Sequence, residues 1–255
     1  MIDLPKTPSF SLEGKKVLVA GASSGIGLAC ATALAEVGGD VVLAARRKDK
    51  LAEAVEAFTA KGWTASALQL DVGDVDQVLE NVERHGPFDV LVNSAGLGRH
   101  SPATETTPED FDAVMNVNLR GAYFLTSCVA KGLLKAGKPG SLINMSSQMA
   151  HVGGTDRAVY CASKFAVEGF TKAMAIEFGP AGIRINTICP TFIRTALTEK
   201  TFENPELVEW VEGKIKLGRT GIVEDIMGAA LYLASDASSL VTGTSILVDG
   251  GWTAD

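Results

Sequence analysis

Short, almost unbroken aliphatic runs alternate with longer stretches of helical periodicity along the whole of this 255-residue chain. Runs such as Val17-Leu18-Val19-Ala20 and Asp89-Val90-Leu91-Val92-Asn93 leave no polar face. Strands of that kind are buried on both sides, which implies a parallel sheet covered by helices on both faces. Strands are predicted at Lys16–Ala20, Asp40–Ala45, Ala65–Leu70, Phe88–Val92, Ser141–Met145, Ile183–Ile188 and Thr244–Val248. Helices are predicted between them at Gly25–Val37, Lys48–Lys61, Asp74–Arg84, Pro108–Lys135, Ala158–Phe178 and Glu224–Leu233, several opened by Asp, Ser or Pro. No repeat, linker or composition break divides the chain. The expected architecture is one doubly wound α/β domain over residues 1–255 with a seven-stranded, predominantly parallel sheet. Its longest irregular stretch, Pro190–Glu206, opens a candidate lid over about 190–216.

Two local patterns carry chemistry. After the first strand comes Gly21-Ala22-Ser23-Ser24-Gly25-Ile26-Gly27, then a helical run. Glycines there let the backbone turn sharply and approach a ligand, while the free N–H groups at the helix start favour a phosphate. A tight helix–strand junction would use the same residues, and the spacing is G-x-x-x-G-x-G, not G-x-G-x-x-G. The G-K-[ST] ending of an ATP-binding loop is absent, which argues against phosphoryl transfer. The second pattern is Tyr160-Cys161-Ala162-Ser163-Lys164 within a helical segment, where Tyr and Lys four apart share one face. An ammonium at ~4 Å in an effective dielectric of ~20 is worth on the order of 4 kcal/mol, about three pKa units. That would bring a phenol toward neutrality as a general acid or base. An isolated Y-x-x-x-K is far more often an ordinary amphipathic pair, and only its context reverses that reading.

Charge and cysteine usage narrow the partners. The 23 basic and 30 acidic side chains leave a net charge of −7, a field that repels nucleic-acid backbones and anionic lipid. Cys30, Cys128, Cys161 and Cys189 are scattered without a C-x-x-C pair, so reduced thiols are expected, with no metal site. The N-terminal residues MIDLPKTPSFSLEGK lack the apolar core of a signal peptide, and no apolar run approaches the ~18 residues of a membrane span. A cytoplasmic location is expected.

In chain order, G-A-S-S-G-I-G at 21–27, V-N-S-A-G at 92–96, N-V-N at 116–118, I-N-M-S-S at 143–147 and Y-C-A-S-K at 160–164 together resemble the short-chain dehydrogenase/reductase family, in its shorter, single-domain branch. The resemblance covers roughly residues 11–252 and implies a Rossmann fold and an NAD(P)-dependent oxidoreductase. It implies that Tyr160 exchanges a proton with the substrate oxygen, that Ser147 hydrogen-bonds that oxygen, that Lys164 holds the nicotinamide ribose and depresses the tyrosine pKa, and that Asn118 holds a water of the proton relay. Ser147 is preferred to Ser146 because it stands thirteen positions before Tyr160, and Asn116 is assigned to local backbone groups. For the cofactor, the resemblance implies Gly21, Ser23, Ser24, Gly25, Ile26 and Gly27 at the pyrophosphate, Asp71 and Val72 at the adenine, and Asn93, Ala95 and Gly96 under the ribose. Pro190, Ile193 and Thr195 would flank the carboxamide. The chain departs from the family pattern at Ala20, Ser94 and Thr191, the last of which predicts an altered loop with binding retained.

Two further expectations concern ligands. The second strand ends Ala44-Ala45-Arg46-Arg47, with alanine where an NAD-type aspartate would stand, so NADP(H) is favoured over NAD(H) through Arg46 and Arg47. Arg99, His100, Gln148, Met149, His151, Arg157 and Arg194 are expected to form a polar, basic mouth that draws a small, hydroxylated and possibly anionic substrate, a sugar acid first and an acyl thioester second. Ion pairs of these arginines with Glu105, Asp156 or another subunit would explain them equally well. An isomerase, epimerase or dehydratase and a dinucleotide-sensing module are the competing readings; the four filled catalytic positions argue against the module, and the missing C-terminal substrate domain against the isomerase class. By resemblance, the small-residue helices 108–135 and 158–178 would pair subunits into a homotetramer or homodimer.

Overall fold

A computed structural model describes residues 2–196 and 198–254. Seven strands form one sheet: β1 (Lys16–Ala20), β2 (Asp40–Ala45), β3 (Ala65–Gln69), β4 (Val90–Asn93), β5 (Gly140–Met145), β6 (Ile183–Pro190) and β7 (Ser245–Val248), in the order β3-β2-β1-β4-β5-β6-β7. Every pairing is parallel. The order reverses between β1 and β4, so the crevice at the carboxyl ends of those strands is where an open α/β sheet binds ligands.

The aliphatic runs explain the two layers. In β1, Val17 and Val19 face one side and Leu18 and Ala20 the other, all fully buried. The first side packs against α1 (Gly25–Glu36), α2 (Lys48–Ala60) and α9 (Glu224–Ala234). The second packs against α3 (Val75–His85), α5 (Ala122–Ala136) and α6 (Ala158–Phe178). At roughly 1.5–3 kcal/mol for each fully buried aliphatic side chain, a one-residue register slip that exchanged the faces would undo both layers. Local signals set several boundaries. The Asp74 carboxylate accepts the Gln77 N–H at the start of α3, and Thr107 accepts the Asp110 N–H ahead of Pro108 at the start of α4 (Pro108–Met115).

Two segments differ from expectation. The helix predicted over Pro108–Lys135 is interrupted: between α4 and α5, residues Asn116–Gly121 form a π-helical turn. Hydrophobic periodicity does not detect that one-residue insertion. The stretch Pro190–Glu206 is more ordered than a loop, because Pro190 completes β6, Glu199–Phe202 forms the short α7, and Pro205 starts α8 (Pro205–Lys214). Asn204 caps α8 by accepting from the N–H groups of Glu206 and Leu207. Leu197, within the expected lid, lies outside the described residues.

Candidate active site

At the β1/β4 reversal lies a cleft of about 330 Å³. Its walls are the turn Gly21 to Gly27 without Ala22, the end of β2 at Ala45–Arg47, Leu70–Val72, Ser94–Leu97, Val117, Thr195 and Ala196. Two glycines have no substitute here. A Cβ on Gly21 would stand 2.8 Å from the Ala95 nitrogen, and one on Gly27 would stand 2.3 Å from the Gly21 carbonyl oxygen. The turn is therefore folded hard against both the next strand and its own helix, leaving its outer N–H groups toward the cleft. Across it, the exposed Arg47 guanidinium donates to the hydroxyls of Ser23 (3.1 Å) and Ser24 (3.4 Å), and Arg46 lines the same wall. This donor-rich end, with Ala45 where an acid would stand, has the chemistry to hold a phosphorylated dinucleotide.

Not every residue expected at the cofactor reaches the cleft. Asn93 is buried; its amide donates to Asn144 Oδ1 at 3.1 Å and its oxygen accepts from the Ala95 N–H at 3.3 Å, so it shapes the floor from beneath. Pro190 and Ile193 are also buried and outside the cleft lining, whereas Thr195 lines it. Asp71 and Val72 line it as expected, and the Asp71 carboxylate also accepts the Gly73 N–H. At Thr191 the backbone N–H donates to the Val248 carbonyl, continuing the β6–β7 ladder.

The catalytic candidates meet at the inner end. Gly96 of the cleft floor sits between Asn118 and Lys164: a Cβ there would lie 3.7 Å from Asn118 Oδ1 and 3.9 Å from Lys164 Nζ. Lys164 is buried and donates to the Met145 carbonyl at 2.8 Å. Burial pushes its amine down to about 8, against the opposing pull of Cys189 and Glu168. Tyr160, half-buried, lies with Lys164 Nζ 5.6 Å from its ring centroid and has Ser147 beside its phenol. Ser147 Oγ accepts the Met149 N–H at 3.1 Å, which leaves its proton to give.

One expectation is corrected here. The Tyr160 phenol is not drawn toward neutrality: burial raises it above its ordinary value, with Ser147 and Arg157 pulling it down more weakly, and the Lys164 ammonium points to Met145. The Asn118 side chain is a brace whose two amide hydrogens are both taken, leaving the second lone pair of Oδ1 as its one remaining side-chain hydrogen-bonding position. Its Oδ1 accepts the Leu97 N–H (2.7 Å) while its Nδ2 donates to the Leu97 carbonyl (2.8 Å) and to Ser163 Oγ (3.2 Å). The π-turn swings Asn118 inward to make these bonds. Asn116 donates to the Gly73 carbonyl, the backbone role expected of it.

The mouth is less basic than the sequence implied. Gln148 and Met149 are buried, Arg99 pairs with Asp110 at 2.5 Å, and Arg194 lies 3.9 Å from Glu212 and over the Phe202 ring. Arg157 donates to the Thr155 carbonyl, lies over Phe192 at 5.6 Å, and has no carboxylate partner among the described residues. His100 stands edge-on to Tyr160 at 5.7 Å, its pKa lowered by burial and by Arg157. Behind Phe192, Trp252 stacks at 5.6 Å and Trp210 of α8 meets Trp252 edge-on at 5.5 Å. This aromatic wall joins three distant segments, and no local spacing could have disclosed it.

The family model described as enoyl-(acyl carrier protein) reductase matches residues 21–253. The gluconate 5-dehydrogenase of Gluconobacter oxydans (strain 621H) is 39% identical over 248 residues, 96% of each chain. Human L-xylulose reductase is 36% identical over 241 residues, 94% of this chain and 97% of the relative. Among solved structures, a gluconate 5-dehydrogenase from Burkholderia cenocepacia J2315 in complex with NADP and tartrate is 34% identical, covers 96% of this chain and 98% of its own, and superposes with a TM-score of 0.92. An Agrobacterium tumefaciens protein with bound NADP is 40% identical, covers 98% of this chain and all of its own, and has a TM-score of 0.93. No helix among the described residues is long and apolar enough to cross a membrane.

Proposed function

The chain belongs to the short-chain dehydrogenase/reductase family, and from that premise we propose that it interconverts a secondary alcohol and a ketone on a small hydroxylated substrate, a sugar or sugar acid, with NADP(H) preferred over NAD(H). The observation that carries this reading is Tyr160 set beside Ser147 and buried Lys164, whose Nζ lies 5.6 Å from the phenol ring centroid, at the inner end of a cleft with two arginines at its outer end. The nicotinamide, when bound, supplies the hydride acceptor or donor. The Gly21 to Gly27 turn would hold its pyrophosphate, Arg46 and Arg47 the 2′-phosphate, and Lys164 the ribose near Gly96.

The raised phenol keeps its proton at neutral pH, so Tyr160 donates to the carbonyl oxygen in reduction, whereas in oxidation it first loses that proton to solvent and then takes the alcohol proton as the phenolate. Ser147 gives a second hydrogen bond to that oxygen, where negative charge develops. Asn118 and Ser163 hold α6 against the Leu97 backbone, fixing the distance from phenol to cleft floor. Among the described arginines of the mouth, Arg157 is the one without an acid partner and so can meet a substrate carboxylate, since Arg99 and Arg194 already face acids. The relatives named for gluconate and xylulose support the sugar class. Aromatic and aliphatic residues exposed on α4, α5 and α6, among them Phe111, Tyr123, Phe165 and Ile176, support pairing into a homodimer or homotetramer.

The test is steady-state kinetics on a keto sugar acid and its neutral analogue with each cofactor. We expect NADPH to be preferred, Arg46→Ala and Arg47→Ala to reduce kcat/KM for NADPH at least about tenfold more than for NADH, and Arg157→Ala to affect the acid alone. Equal kcat/KM with both cofactors would remove the NADP assignment. Equal use of both substrates, unchanged in Arg157→Ala, would remove the anionic one.

A further inference from the structure

Beneath the reacting groups, three side chains that the proposed chemistry does not use converge from three elements: His151, just after the turn Gln148–Ala150, Glu168 in α6, and Cys189 near the end of β6. Each offers one ligand atom, and these atoms lie within 4.8 Å of one another. Glu168 and Cys189 are buried, while His151 is exposed and gives the cluster access to solvent. Cys189 Sγ donates to Glu168 Oε1 at 3.4 Å. Sulfur and oxygen ligands at ~2.3 and ~2.0–2.2 Å on a tetrahedral zinc ion stand roughly 3.5 Å apart, so this pair is already at ligand spacing.

The surroundings are those of a held ligand set. Glu168 Oε2 is fixed by the hydroxyls of Thr187 (3.0 Å) and Ser245 (2.5 Å), which orient the carboxylate and leave Oε1 facing only an exchangeable thiol proton. Buried Ser146, near the Cys189 thiol, has no hydrogen-bond partner for its hydroxyl among the described residues. We infer that His151, Glu168 and Cys189 form a site for a thiophilic divalent cation of the zinc type, and that its occupation inhibits the enzyme reversibly. Binding breaks the Cys189 S–H bond, forms a metal–sulfur bond and releases one proton to solvent, with no change of oxidation state. Thiolate, carboxylate and dication sum to zero, so no net positive charge is left beside Lys164. Imidazole and thiolate select zinc-like ions over magnesium or calcium. Inhibition follows from position, because Cys189 follows Ile188, whose carbonyl accepts the Ser146 N–H at 2.8 Å, and His151 follows Ser147 by one short turn.

Cobalt(II) titration of the whole protein tests the site without reference to substrate. One equivalent should give a sulfur-to-cobalt charge-transfer band with release of about one proton, both lost in Cys189→Ser, while Cys161→Ser retains them. Zinc should inhibit turnover, EDTA should restore it and magnesium should have no effect. His151→Ala, a change at an exposed residue that leaves the core intact, should raise the zinc concentration for half-inhibition about tenfold or more. Absence of the band in wild type, its persistence in Cys189→Ser, or zinc inhibition unchanged in His151→Ala would each overturn the inference. A failed activity assay with intact cobalt spectra would count against the proposed substrate and leave the metal site standing.

Discussion

In the half of the sheet formed by β3, β2 and β1, the candidate ligand contacts are made mainly by backbone brought close by glycine, with Arg46 and Arg47 at the outer edge. In the half formed by β4, β5, β6 and β7, they are made by side chains whose positions depend on partners far away in sequence: Lys164 on Met145, Asn118 on Leu97 and Ser163, Trp252 on Phe192 and Trp210. The first half works by the absence of atoms, the second by their exact support. Substitutions should therefore fail differently in the two, by collision in one and by lost chemistry in the other.

Tyr160→Phe makes the sharpest cut, since only the phenolic oxygen goes and the ring still packs. We expect kcat to fall by 10²–10⁴-fold, roughly the usual contribution of general acid–base catalysis, with the NADPH dissociation constant within about twofold of wild type. A residual kcat above about a tenth of wild type would mean that proton transfer does not pass through Tyr160. Gly27→Ala breaks the other half. Its Cβ would have to displace the Gly21 carbonyl oxygen from 2.3 Å, costing about 1–3 kcal/mol in stability and weakening NADPH binding about tenfold or more, which thermal unfolding and fluorescence titration would read separately. Wild-type affinity in that variant would show that the turn can relax.

The pH dependence of cofactor binding links the halves. The Lys164 amine, held at about 8, is charged below that value and neutral above it. Its grip on the ribose should weaken as pH rises through about 8, so NADPH KM should climb between pH 7 and 9.5, with the climb absent in Lys164→Met. The smallest effect lies outside both halves. Arg219 pairs with Asp225 through two bonds of 2.7 and 2.8 Å and holds that carboxyl at about 2 against an ordinary 3.8. The folded value is depressed, so the contribution is fully present above 3.8 and is lost as pH falls through about 2. Asp225→Asn should cost about 1 kcal/mol at pH 7, discounted for partial exposure, and almost nothing near pH 2.

The contrast also explains what was legible beforehand. Strands β1 and β2 and helix α6 fall on their predicted bounds because continuous apolar runs and 3.6-residue periodicity are local properties. The glycine turn is local too, and all six of its predicted residues line the cleft. For Asn93, adjacency in a motif does not tell which face of a strand end a side chain takes: it turns toward Asn144 and reaches the floor only through the Ala95 N–H. The Tyr160 phenol was expected too acidic because spacing on a helix gives proximity but not the desolvation that dominates. Phe192, Trp210 and Trp252, like the ligand set of His151, Glu168 and Cys189, come together only through the tertiary fold.

The π-turn at Asn116–Gly121 acts as a frame shift within an otherwise continuous helical rod. Each residue of an α-helix advances about 100° around the axis, so one inserted residue rotates everything before it relative to everything after. Deleting a residue anywhere in that turn would restore an ordinary helix and re-aim all of α4 against α6, while Asn118 would lose Leu97 and Ser163 together. Length at this point is thus as constrained as residue identity: lineages of this chain should accept substitutions around Val117 and Leu119 far more readily than a single insertion or deletion.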